Sequence, residues 1–356
     1  MNEPGNLSWE AEAHYRARVR GALLGGALGD ALGYPVEFDS LAAIRAAHGP
    51  RGVTGPVADA AGAVGRVSDD TQMTLFTVEG LRQAHERERL KGIGGGWSRL
   101  VRLAYGRWLD TQSAPAPAPD VRGGLAAEPW LYARRAPGNA CLSGLREREY
   151  CPDPARELGP PGPVNPDSKG CGSVMRSAPF GLTRTTAASA FGMAARSSLM
   201  THGHPTASYA SGALAAIVTH LVAGDSLEGA VLRTLRLLAR HPGHEETTAA
   251  LEAALDLAAE GTPSAEKAES LGAGWIAEEA LAVAVYCALA EPRVPDALLL
   301  SVNHSGDSDS TGSLCGNLLG ALHGDHGLPQ PWLERVEGRA TITVLADDFA
   351  AECVRR

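Results

Sequence analysis

Residues 21–33 read GALLGGALGDALG, continuing into Tyr34-Pro-Val-Glu37-Phe-Asp. Glycine recurs every fourth position, at Gly21, Gly25, Gly29 and Gly33. The same period returns near the C-terminus in Gly312, Gly316, Gly320 and Gly324. A glycine inside a helix costs about 1 kcal/mol relative to alanine, so two helices that accept this four times over need backbone to approach backbone. The stripe predicts that these two helices lie together at the centre of one domain. Asp30 and His323, inside the striped segments, argue against the membrane form of such a motif.

The rest of the chain reads as helix with irregular connections. Leu227, Val231, Leu235 and Leu238 recur at helical spacing behind Asp225-Ser226, a capping-box-like start. His244 to Glu260 and Trp275 to Leu289 repeat the pattern, and Gly261 stops the former. Ala340 to Leu345 is the best strand candidate. Residues 111–124 and 151–172, dense in proline and glycine, read as surface insertions in a single all-α domain spanning residues 1–356, with a core of about 18–350.

Composition excludes several classes. In 356 residues there are 32 Lys and Arg against 41 Asp and Glu, a net charge of −9, so no nucleic-acid partner is expected. Only three lysines (Lys91, Lys169, Lys267) accompany the arginines, which reads as coding bias rather than chemistry. No run of about 18 uninterrupted apolar residues occurs, so no membrane span is expected. The start, MNEPGNLSWEAEAHYRARVRG, is polar, and the six cysteines form no C-x-x-C pair. The expectation is therefore a cytoplasmic chain with reduced thiols.

The strongest chemical signal is acidic. Ser68-Asp69-Asp70-Thr71 precedes one helix, and Asp307-Ser-Asp309-Ser310-Thr311 opens the second glycine-striped one. Asp30 and Glu37 sit at the end of the first. One such cluster would be an ordinary N-cap. Two that converge would repel unless cations neutralised them, and carboxylates with hydroxyls are hard ligands suited to Mg²⁺, Mn²⁺ or Ca²⁺. An EF-hand reading of Asp307–Leu318 fails, because position 12 is Leu318 rather than Glu. An aspartyl-phosphatase reading of Asp307-x-Asp309 fails too, since that motif follows an N-terminal strand and here only 45 residues follow Thr311.

In these segments the sequence resembles the ADP-ribosylglycohydrolases. The matching stretches are residues 21–38, SDDTQMTLFT (68–77), RRAPGNACLSGL (134–145), NPDSKGCGSVMRSAPFGL (165–182), THGHPTA (201–207) and SGDSDSTGSLCGNLLGALHG (305–324). The resemblance implies a compact all-α fold with a dinuclear Mg²⁺ or Mn²⁺ cleft. Ser68, Asp69, Asp70, Asp307, Asp309 and Ser310 match the metal positions. Glu37, Asp70 and Asp309 match those expected to act in catalysis, and Asp30 one that supports the site. Gly170, Cys171, Gly172, Ser173 and Met175 match the ADP-ribose-binding loop, and His202 the Thr-His motif beside the ligand. Trp275 is open between stacking on a base and core packing; Cys141, Cys171 and Cys315 read as small packing residues.

The implied reaction is hydrolysis of the glycosidic bond joining ADP-ribose to a modified side chain, arginine first. The implied partner is an ADP-ribosylated protein or a small ADP-ribose conjugate. ADP-ribosylserine, poly(ADP-ribose), O-acetyl-ADP-ribose and a non-catalytic ADP-ribose binder on the same fold remain alternatives.

Overall fold

The computed structural model describes residues 8–121, 123–146 and 150–355. The first seven residues of the polar start and Arg122 of the proline-rich stretch lie outside them. In chain order the helices are α1 (Trp9–Gly33), α2 (Leu41–His48), α3 (Asp69–Lys91), α4 (Trp97–Thr111), α5 (Asn139–Arg146), α6 (Ala178–Gly181), α7 (Ala187–Ser198), α8 (Pro205–Ala223), α9 (Leu227–Leu238), α10 (Glu245–Ala259), α11 (Ala265–Glu269), α12 (Ala277–Ala290), α13 (Val294–Val302), α14 (Ser308–His323), α15 (Gln330–Leu333) and α16 (Arg339–Val354). Among the described residues there is no strand, only two isolated antiparallel bridges, Ala58 to Val64 and Gly170 to Ile276.

The glycine stripes meet. Gly21, Gly25 and Gly29 of α1 lie against Gly320, Gly316 and Gly312 of α14, which runs antiparallel, and Gly33 lies against the Ser308 backbone. A Cβ on any of these would fall within 3.0 Å of the opposing backbone, closer than real Cβ atoms come. Asn317 ties the seam by donating Nδ2–H to the Ala22 carbonyl at 2.8 Å. Almost the whole of α1 from Gly21 to Gly33 is buried, and so is α14 from Ser308 to Ala321. α3 and α16 pack against α1, and α8, α12 and α13 pack against α14.

α8 is long and apolar enough to cross a membrane by length and composition, but 78% of it is buried among the other helices. It is a core helix here, against α7 and α9. The Leu227 helix forms as expected: Ser226 accepts the Gly229 N–H, and Leu227, Val231 and Leu238 are buried.

Two expectations fail. Ala340 to Leu345 is helical, inside α16. Over the longer window Ile342, Leu345, Ala346, Phe349, Ala350 and Cys353 are the buried positions, a helical stripe that outweighs the β-branched residues within it. α12 starts at Ala277 rather than at Trp275, because Ile276 is extended and bridges to Gly170 of the glycine loop. There Cys171 donates its N–H to the Trp275 carbonyl at 3.0 Å, and Ala277 donates to Lys169 at 2.8 Å.

Candidate active site

The site forms where three helix ends meet. α1 ends at Gly33, and a 3-10 turn (Tyr34–Val36) carries the chain to Glu37. Val36 anchors this corner in a small cluster with Ile44 and Val53. α3 begins at Asp69 with Ser68 as its N-cap, whose Oγ accepts the Asp70 N–H at 3.2 Å. α14 begins at Ser308 with Asp307 as its N-cap, so both acidic clusters sit where a helix dipole favours negative charge.

Asp30, on the last turn of α1, links the helices. Its carboxylate accepts the backbone N–H groups of Ser68 (2.9 Å) and Thr71 (3.1 Å), together with the Thr71 hydroxyl. It is directed at the backbone of α3 and holds the Ser68–Thr71 turn against α1.

The remaining carboxylates converge. One oxygen from each of Glu37, Asp307 and Asp309 lies within 4.8 Å of the others, and all three residues are buried. Asp69 and Asp70 complete the floor of a cavity of about 260 Å³. Burial, and after it the charge of Asp309, pushes Asp69, Asp70 and Asp307 well above the usual carboxylate range. Burial raises Asp309 too. Asp30 is pushed up to about 7 by burial and then by Asp309. Glu37 is pushed up to about 10 by burial, then by the charges of Asp309, Asp307, Asp69 and Asp30. Five acidic groups this close cannot all be ionised without added positive charge.

The donors fit divalent cations. Glu37 Oε2 and Asp70 Oδ1 are buried with no hydrogen-bond partner. An orphaned buried carboxylate oxygen is costly, and two of them in a carboxylate-lined cavity are vacant donors for a hard ion.

The glycine loop forms the opposite wall. Gly170, Cys171, Gly172, Met175 and His202 line the same cavity as Glu37, Asp69, Asp70, Asp307, Asp309 and Ser310. Ser68 and Ser173 do not. Ser68 caps α3, its Oγ accepting the Asp70 N–H while its hydroxyl faces the Asp70 carboxylate at 3.4 Å and that of Asp309, and Ser173 is buried with its hydroxyl donating to the Gly170 carbonyl at 2.9 Å. The glycines have a local cause as well: a Cβ on Gly170 would come within 3.2 Å of His202 Nε2, and one on Gly172 within 3.2 Å of its Cε1. His202 is buried, with Nδ1 on the Thr201 hydroxyl at 2.7 Å. Burial, and then the Arg176 guanidinium, lowers it to about 3, so it is neutral. Arg176, fully buried, donates to the Gly172 carbonyl at 2.7 Å and to Thr201 at 2.5 Å, with its guanidinium 4.8 Å from the Tyr105 ring centre. One buried cation thus fixes both the loop and the histidine.

Trp275 is not a core residue. It is 41% exposed, lines the cavity and stacks on the exposed Phe38, ring centres 5.7 Å apart. Cys141 and Cys315 are buried packing residues. Cys171 is not, since its Sγ lies 2.7 Å from Asp307 Oδ2 in the cavity wall. Asn139 and Ser168 also line the cavity, and sequence reasoning assigned neither a role. Their signal was weak: Asn139 begins α5 just after Ala136, whose positive φ of 50° makes the sharp turn.

An all-α enzyme with a carboxylate-floored cleft beside a glycine loop is the class that this fold and site define. Within that class the chain belongs to the ADP-ribosylglycohydrolase family, whose profile matches residues 11–356. It is 26% identical over 330 residues to the ADP-ribosyl-[dinitrogen reductase] glycohydrolase of Rhodospirillum rubrum, covering 90% of each chain. It is 25% identical to the ADP-ribosylarginine hydrolase Tri1 of Serratia proteamaculans, over 98% of this chain and 82% of that one. A solved ADP-ribosylglycohydrolase-related protein complex superposes with a TM-score of 0.68 at 22% identity, covering 96% of this chain and 99% of the other. The protein is thus an ADP-ribosylglycohydrolase-type hydrolase.

Proposed function

We propose that the protein removes ADP-ribose from modified arginine side chains in a reaction that depends on two divalent cations, Mg²⁺ or Mn²⁺. The observation that carries this reading is the convergence of Glu37, Asp69, Asp70, Asp307 and Asp309 on one cavity opposite the Gly170–Gly172 loop. The arginine linkage draws on the relatives whose names specify ADP-ribosylarginine. A carboxylate-rich cleft also suits a cationic guanidinium leaving group.

Asp69, Asp70, Asp307 and Asp309 would hold the ions, with the Ser310 hydroxyl at the cavity wall and the Ser68 hydroxyl beside the Asp70 and Asp309 carboxylates. When bound, the ions supply positive charge and Lewis acidity that orient the ribose hydroxyls. The chain's own groups do the rest. The small residues Gly170 and Gly172 let a diphosphate approach the backbone of this loop, whose Cys171 N–H is already donated to the Trp275 carbonyl. Neutral His202, held by Thr201, presents Nε2 beside that loop. Glu37, in the cavity wall beside Asp307 and Asp309, is the group placed to deliver a proton to the departing side-chain nitrogen. As a carboxylate it can then accept a proton from the attacking water. The remaining acidic groups stabilise positive charge developing on the ribose.

The test is release of free ADP-ribose from an arginine-ADP-ribosylated protein, with Mg²⁺ or Mn²⁺ and again with EDTA. Release that EDTA abolishes is the expected result. No release with metal demonstrably bound would overturn the arginine assignment, and turnover of ADP-ribosylserine or O-acetyl-ADP-ribose would replace it. Binding of ADP-ribose without turnover of any of these would leave a binding protein.

A further inference from the structure

A second cavity, of about 470 Å³, lies at the other end of α1 and carries the opposite charge to the cleft. His14, Tyr15 and Arg18 of α1 form one wall, Arg184 and Thr185 after α6 another, and the C-terminal end of α8 a third. Two arginines and a histidine line it and no carboxylate does, in a chain whose net charge is −9.

The basic groups are held close together. His14 and Arg18 are one turn apart on α1 and so are neighbours on its surface. The Arg184 guanidinium lies 5.8 Å from the ring centre of Tyr15, which precedes Arg18 by three residues. Main-chain carbonyls in the walls already have donors: Tyr15 donates its hydroxyl to Leu182 at 2.5 Å, Thr219 donates to Gly181 at 3.3 Å, and Arg18 caps α8 at Leu221. Arg184 donates to the Cys353 carbonyl at 3.4 Å. A guanidinium carries five N–H donors, so each arginine keeps several for a ligand. The acids beside the lining are engaged elsewhere, Glu12 with Arg16 and Asp225 with His220 and Arg233, and Glu10, exposed at the start of α1, does not line the cavity. The backbone adds an independent observation. Arg184 has a φ of 56°, in the left-handed region that glycine or asparagine adopts more cheaply. The chain accepts that strain at a residue whose guanidinium is turned over Tyr15.

We propose that this cavity binds a small phosphate ester, with the phosphate between Arg18 and Arg184 and the organic part against Tyr15 and Val222. The planar fork of a guanidinium matches phosphate oxygens in pairs. The volume is that of a small-molecule pocket. Tyr15 precedes Asp30 by fifteen residues, about 22 Å along α1, so this site is separate from the cleft.

The experiment is calorimetric titration of the full-length protein with phenyl phosphate, in EDTA so that no metal in the cleft can hold the anion. Two variants accompany the wild type. Arg184→Gly removes the guanidinium and suits the left-handed turn. His14→Glu puts a carboxylate into the wall at an exposed position and leaves both arginines in place. Circular dichroism shows whether each is folded, and one folded variant is enough to decide. The expected result is one bound equivalent in wild type, weakened about tenfold or more in either variant, the worth of one charge-assisted hydrogen bond. No binding to wild type overturns the proposal. Binding that survives either folded variant places the phosphate elsewhere, the glycine loop included, and also overturns it. Inorganic phosphate that binds as tightly as the ester overturns the role given to Tyr15 and Val222.

Discussion

A single methyl group placed at Gly29 tests whether the glycine seam determines both stability and activity. In an isolated helix Gly→Ala stabilises by about 1 kcal/mol. Here the added Cβ would overlap the carbonyl of Gly312, a backbone atom on a buried helix that cannot rotate aside. Bringing that contact out to even 3.0 Å requires α1 and α14 to separate by about an ångström, and forced overpacking of this kind costs about 1–3 kcal/mol or more. Because the rest of the seam opens with it, the net loss expected for Gly29→Ala is about 2–4 kcal/mol despite the propensity gain.

Two companion variants separate the causes. Gly106, inside α4, has nothing within 4 Å of a built Cβ, so Gly106→Ala should stabilise by about 0.5–1 kcal/mol. Gly21→Ala makes the same kind of backbone clash as Gly29→Ala, but eight residues, or about 12 Å, farther along α1 from the cleft. Gly29 adjoins Asp30, and its partner Gly312 follows the Asp307–Ser310 turn. An ångström of separation there should lower kcat by about 100-fold, whereas Gly21→Ala should lose similar stability with less than tenfold loss of kcat. Urea denaturation of the three variants, with ADP-ribose release measured on each, decides the matter. If Gly29→Ala and Gly106→Ala both stabilise, the seam is not closed by backbone contact and the reasoning fails.

Other perturbations bear on the carboxylates and the histidine. Asp309→Asn should abolish metal-dependent turnover while raising the stability of the metal-free protein by on the order of 1–3 kcal/mol at pH 7.5, because it removes the charge that raises most of its neighbours; a thermal melt no higher than wild type would count against the repulsion. In metal-free protein the raised carboxyls contribute stability that is fully present below their ordinary values of 3.8 to 4.5 and lost as pH rises through their folded values, about 7 for Asp30 and about 10 for Glu37. EDTA-treated protein should therefore lose melting temperature from pH 5 to 8, and Mn²⁺ should restore more of it at pH 8 than at pH 5. His202 has the opposite sign. Its folded value of about 3 lies below the ordinary 6.5, so its contribution is intact above 6.5 and falls by about 1.4 kcal/mol per pH unit as the unfolded chain takes up the proton first. His202→Gln, compared with wild type by denaturant titration from pH 7 to 4.5, should flatten that acid limb; parallel curves would contradict the buried neutral state.

Much of this architecture was legible because its causes are local or periodic. The glycine stripes announced a helix pair in contact, since a four-residue period of costly residues makes sense only if another backbone occupies the space. The Ser68–Thr71 and Asp307–Thr311 clusters announced the starts of α3 and α14. What escaped was tertiary in origin. The helical stripe of α16 was hidden by β-branched residues when read six at a time, though it is clear over the whole helix from Ile342 to Cys353. Trp275 looked equally like a core residue, because nothing in the chain says that residues 275–276 leave helical geometry to pair with residues 169–171. Ser68 and Ser173 carry the right atoms in the right motifs. The Ser173 hydroxyl is already committed to the Gly170 carbonyl, whereas that of Ser68 caps α3 and still faces Asp70 and Asp309, a difference visible only once the backbone is in place.

The seam and the cleft are two consequences of one constraint. Carboxylates brought this close raise one another's proton affinity, so a flexible framework would let them drift apart and relax. α1 and α14 cannot drift: each presents bare backbone to the other over three turns, and Asp30 fastens α3 to the same pair through the Ser68 and Thr71 N–H groups. The packing contributed by the buried glycines thus holds Glu37, Asp307 and Asp309 within 4.8 Å in spite of their repulsion. That stored repulsion is what a divalent cation would relieve on binding. A framework loosened at Gly29 should therefore bind Mn²⁺ more weakly even where every ligand side chain is intact, and unaltered Mn²⁺ affinity in Gly29→Ala would separate the seam from the cleft and sink this account.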